Sequence, residues 1–139
     1  MEKSKMFVII VGVFLILIIA LICTNNINKN NIVMDIKKET ISKTGATIIL
    51  KNNSDNIYEY GEEFVIEKKE NGEWQKLEYL NGAGFIEPAY ELGRRKEREL
   101  KIDWSNIYGE LEEGTYRFIK EISGTSGHKD IWVEFTIKE

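Results

Sequence analysis

The chain has 139 residues, with 19 basic and 23 acidic side chains, one His, one Cys and one Pro. A single Cys and a single His exclude a disulfide framework and a Cys/His zinc site. Beyond an apolar N-terminal stretch and its leader, about 115 residues remain, enough for one domain. They carry a net charge of −5, the wrong sign for a nucleic-acid-binding domain.

Residues 1–5 form a basic leader with two lysines. Met6 to Cys23 follow without one charge, and fourteen of these eighteen residues are Val, Ile, Leu or Phe. As a helix the run reaches about 27 Å, close to a ~30 Å hydrocarbon core. It is longer than the apolar region of a secretory signal, and Thr24-Asn25-Asn26 offers no small-x-small cleavage site. The segment therefore predicts one uncleaved transmembrane helix, with the lysines inside and the domain outside. The alternative is a lipoprotein signal acylated at Cys23, although Ile22 stands where a small residue is wanted. Residues 24–31, with five Asn, read as a polar spacer.

From 32 to 139 short apolar runs alternate with Gly, Asn, Asp and Ser about every ten residues, an all-β pattern. Ile32, Met34 and Ile36 alternate with Val33, Asp35 and Lys37. Ala46, Ile48 and Leu50 form the next period-two set, and Asn52 to Asn56 reads as a loop of turn formers. Phe64 to Lys69 and Glu73 to Tyr79 flank Asn71-Gly72, the signature of a type I′ hairpin. Phe85 to Leu92 predicts an irregular strand confined to an edge by Pro88. Arg98, Leu100, Ile102 and Trp104 share one face, and Ser105 to Gly109 predicts a helical turn capped by Asp103 or Ser105. Gly114 to Ile122 and Lys129 to Lys138 close the domain. In the last strand Ile131, Val133, Phe135 and Ile137 form one apolar face. In the strand before it Lys120 lies in phase with Tyr116, Phe118 and Ile122, and the pattern leaves its facing open. The fold expected is all-β, an immunoglobulin-like antiparallel β-sandwich of about seven strands behind the N-terminal transmembrane helix.

The residues able to carry chemistry are few. His128 sits in a Gly/Ser-rich loop near Ser126 and Asp130, and reads as a solvated residue rather than a general base. Gly82-Ala83-Gly84 lacks the third glycine of a dinucleotide loop. Glu62-Glu63 and Glu112-Glu113 lack the spacing of a calcium loop. Arg94, Arg95 and Lys96 form a basic cluster, readable as edge protection or as contact with anionic polymers. Trp104 is in phase with core residues, whereas Trp132 lies opposite its strand's apolar face and is the better surface candidate. The candidate partner surface is thus Trp132 with Arg94, Arg95 and Lys96. No catalytic residue, cofactor or metal is expected.

Leu111-Glu112-Glu113-Gly114-Thr115-Tyr116 has the pattern Leu-x-x-Gly-x-Tyr. In immunoglobulin-like sandwiches such a Tyr bonds its hydroxyl to upstream backbone, a tyrosine corner, with Leu111 beneath the turn and Gly114 allowing it. Further pieces are Leu50 to Ser54, Tyr60 to Phe64, Glu67 to Trp74, Ile102-Asp103-Trp104, and Tyr108 to Leu111 leading into Gly114 to Arg117. In this order the chain resembles the bacterial Ig-like domains of small exported Gram-positive proteins over most of residues 32–139. It departs from them at Leu92 and Glu113, where such domains often carry Pro. The resemblance implies a sandwich outside the cytoplasm and no enzyme activity. The expected function is a non-catalytic, membrane-anchored binding module whose partner is another envelope protein or a wall polymer. The second reading is an accessory subunit of a membrane complex, with Gly12 and Ala20 on one face of the span packing against partner helices.

Overall fold

The computed structural model describes residues 32–138. The leader, the apolar segment 6–23 with Cys23, and the spacer 24–31 lie outside the described residues. Among those described, no helix is long and apolar enough to cross a membrane.

The chain forms β1 (Ile32–Ile36), a 3₁₀ turn (Lys38–Thr40), β2 (Gly45–Asn52), β3 (Tyr58–Tyr60), β4 (Val65–Glu70), β5 (Glu73–Lys76), β6 (Tyr90–Leu92) and β7 (Glu97–Asp103). The short helix α1 (Ser105–Tyr108), β8 (Gly114–Gly124) and β9 (Gly127–Ile137) complete it. Two antiparallel sheets face each other. The smaller is β1-β2-β7, and the larger holds the other six strands around β8. β3 and β4 lie end to end along one side of β8, with Tyr60 opposite Ile122 and Val65 opposite Ile119. β6 and β5 flank them, and β9 pairs with the other side of β8 along its whole length.

There are nine strands rather than about seven. Tyr58–Tyr60 is too short to show a period, and its pairing comes from β6 and β8. Within Phe85 to Leu92 only Tyr90–Leu92 is strand, because Phe85 leaves the ladder to pack edge-on against Phe64 and Tyr79. The strand after Asn71-Gly72 stops at Lys76. Asn71 and Gly72 both have positive φ, 51° and 82°, as a type I′ turn requires. The final hairpin is tighter than a six-residue loop, since Gly124 already pairs with Gly127 and only Thr125 and Ser126 turn the chain.

Strand alternation builds the core. The small sheet turns Ile32, Met34, Ile36, Ala46, Ile48 and Leu50 inward, and the large sheet contributes Tyr58, Tyr60, Ile66, Tyr116, Phe118, Ile122, Phe135 and Ile137. Trp104, fully buried, stacks on Phe135 at 5.2 Å and donates its indole N–H to the Lys43 oxygen at 2.8 Å. Phe118 stacks on Phe64 at 4.8 Å. The Trp104–Phe135 contact joins the residue after β7 of the smaller sheet to β9 of the larger one.

Candidate functional site

The outward side of the large sheet carries an aromatic and charged cluster. Arg117 on β8 lies opposite Glu67 on β4 and Glu134 on β9. Its Nε donates to Glu67 Oε2 at 2.6 Å. Its guanidinium carbon stands 4.5 Å from the Trp74 ring centroid and 5.4 Å from that of Trp132. Lys69 Nζ lies 5.5 Å from the Trp74 ring. The cation is thus held between two indoles and pinned by a carboxylate, which fixes both rings at little further entropy cost.

The placement follows from register. Trp74 faces Lys69 across β5 and β4, and Ile119 faces Trp132 on one side and Val65 on the other. All are outward positions. Trp132 remains 51% exposed, a large rigid apolar surface that the fold does not cover. Beside it lies a hollow of about 460 Å³ at the break between β3 and β4, with Val65 and Ile119 in its lining and Glu63, Glu121 and Asp130 among its acids. Area and shape are what this face offers a partner. Its guanidinium is already neutralised, so it is poorly suited to binding a free anion.

The other candidates lie elsewhere. Arg95 makes two contacts with the Asp55 carboxylate, at 2.9 and 3.1 Å, and Arg94 Nε donates to the Asp55 backbone oxygen at 2.7 Å. The Lys96 oxygen accepts from Asn52 N–H at 2.8 Å. The basic cluster clamps the β6–β7 loop onto the β2–β3 loop, and no hydrogen bond or aromatic contact links it to Trp132. His128 is on β9, opposite Ser123, with Nδ1 3.1 Å from Glu121 Oε1. Both side chains are mostly exposed. Leu111 is buried and its N–H donates to the Lys43 oxygen at 2.8 Å. Gly114 opens β8, where a side chain would press on Lys68 and the Tyr116 ring. The Tyr116 hydroxyl donates to the Glu112 oxygen at 2.8 Å. Among the described residues no three His, Cys, Asp or Glu side chains are grouped to hold a metal.

Two polar residues are buried whose inward facing the sequence leaves open. Asn52, 1% exposed, donates through Nδ2 to the oxygens of Asn56 and Gly93 at 2.7 and 2.9 Å. Its Oδ1 accepts from the Ser54 N–H and hydroxyl. Its position at the end of the β2 alternation was the available clue. Lys120, 2% exposed, points into the sandwich and donates to the Glu63 and Glu62 oxygens at 3.0 and 3.3 Å. It borders a cavity of about 220 Å³ with Tyr60, Tyr90, Leu100 and Ile102. Burial pulls its ammonium pKa down to about 8, against the pull of the Glu62 and Glu63 carboxylates.

No curated protein and no solved structure shows a significant match to the chain. A family profile described as a bacterial Ig-like domain matches residues 28–136. That span covers most of the chain and all but the last residue of β9, and with the two-sheet sandwich it places the protein in the bacterial Ig-like domain family.

Proposed function

We propose that the protein is a non-catalytic interaction module, held outside the cytoplasmic membrane by residues 6–23, which grips another envelope protein with the outward face of its large sheet. The uncharged apolar run supports the anchoring, and family membership supports the interaction role. The observation that carries the choice of face is Trp132, half exposed and braced through Arg117 against Trp74. A rigid exposed indole with a charged rim is the composition of a binding hot spot.

The test is cross-linking in intact cells with the full-length tagged protein and identification of adducts by mass spectrometry. Wild type is expected to give one dominant membrane-protein adduct. Trp132→Ser should lose it while keeping the folded circular dichroism spectrum, and Lys96→Ser should keep it. An adduct indifferent to Trp132→Ser overturns the assignment of the face. Capture of wall polymer with no protein adduct overturns the choice of partner.

A further inference from the structure

Away from the Trp132 face, a cavity borders Lys120 and a groove of about 550 Å³ runs along the outer edge of β9. Lys120 is spent on backbone carbonyls and almost wholly enclosed. The edge groove is the larger of the two. It runs beside Glu134 to Lys138 and is bedded by Ile36 and Ile41.

β9 pairs only with β8 among the described residues. The two-residue turn between Gly124 and Gly127 makes that closing pair hydrogen-bonded. Antiparallel alternation then turns the backbone N–H and C=O of Glu134 and Thr136 away from β8, and Lys138, which directly follows β9, is next in the same phase. This edge therefore has backbone groups ready to pair with another strand. The side chains of Glu134, Thr136 and Lys138 are exposed, and neither Glu134 nor Lys138 has an ion-pair partner among the described residues.

We propose that this edge joins two copies of the chain, with their β9 strands antiparallel about a two-fold axis at Thr136. In that register Thr136 faces Thr136, and Glu134 of each copy faces Lys138 of the other. Cross-strand opposite charges favour the pairing and like charges oppose it. Moving the axis to Glu134 would set two carboxylates against each other. The symmetric contact is self-complementary, as a two-fold interface must be. Lys38 and Lys43, exposed on the same groove, further favour an incoming strand that carries Glu134. The contact is independent of the partner proposed for Trp132.

Disulfide trapping tests it in the full-length chain carrying Cys23→Ser. Directly opposed residues of a hydrogen-bonded pair have Cα atoms about 5.5 Å apart, within disulfide range. Thr136→Cys should form covalent dimers under mild oxidation. Asp130→Cys, on the same edge but six residues from the axis, lies roughly 40 Å from its own copy in this register and should not. Glu134→Lys should lower the Thr136→Cys dimer yield by about threefold or more, and Glu134→Lys with Lys138→Glu should restore it. Equal trapping at positions 130 and 136, no trapping at 136, or failure of the charge swap to restore the yield would each overturn the proposal.

Discussion

Tyr116 donates its hydroxyl proton to the backbone oxygen of Glu112, four residues upstream, at 2.8 Å. The bond fastens the turn that leads into β8, the strand on which the large sheet is built. The ring is buried beneath Lys68, whose Nζ lies 6.0 Å from its centroid, and stacks on Phe135 at 5.5 Å. Tyr116→Phe keeps the stack and removes one hydrogen bond. The expected loss is about 0.5–1.5 kcal/mol, read as a lower urea midpoint with an unchanged slope.

Asn52 ties the β2–β3 loop to the β6–β7 loop through both ends of its amide. Asn52→Asp keeps the shape but aims a carboxylate oxygen at the Asn56 and Gly93 carbonyls. Leaving those acceptors facing a buried negative charge should cost about 3 kcal/mol or more at pH 7. The new carboxyl is driven to stay protonated in the folded state, so its folded pKa lies above the unfolded one. The lost stability should therefore return as pH falls toward the ordinary carboxylate range. Urea denaturation at pH 7 and pH 4.5 for both proteins measures it.

Gly45 stands opposite Asp103, where β2 meets β7. A Cβ there would lie 2.2 Å from the Ile102 backbone oxygen. Backbone cannot swing aside as a side chain can, so Gly45→Ala must push the two strands apart. A loss of about 2 kcal/mol or more is expected, seen as a lower thermal midpoint.

The parts of this fold that the sequence makes legible are those with one clean periodic face. Ile131, Val133, Phe135 and Ile137 alternate with Trp132, Glu134, Thr136 and Lys138, so β9 shows both its period and its outward indole. Residues whose environment is made by distant chain are hidden. Tyr58–Tyr60 becomes a strand because β8 and β6 flank it. Phe85 looks like a strand residue but serves as an aromatic plug on Phe64. Arg94 and Arg95 look like a free basic patch until Asp55, about forty residues earlier, is seen to receive them. The Trp132 half of the candidate surface could be read from alternation, but its brace of Trp74 and Arg117 could not. That contact needs the pairing of four strands.

Lys120 breaks the apolar row of β8 for a reason that only the folded state supplies. Its stem fills core space in line with Phe118 and Ile122, and its ammonium finds the Glu62 and Glu63 carbonyls where the chain breaks between β3 and β4. Burial lowers its pKa from 10.5 to about 8. The unfolded chain therefore binds more protons than the folded one between about pH 8 and 10.5, and stability rises with pH across that window. The gain between pH 7 and 9.5 should be about 1–2 kcal/mol. Above pH 10 the tyrosines act in the opposite direction. Burial raises the hydroxyl pKa of Tyr60, Tyr108 and Tyr116, so these groups favour ionisation in the unfolded chain. Lys120→Met keeps the stem and removes the charge. Its urea midpoint should be flat from pH 7 to 9.5, where that of the wild type climbs. Parallel profiles for the two proteins would mean that another group carries the titration.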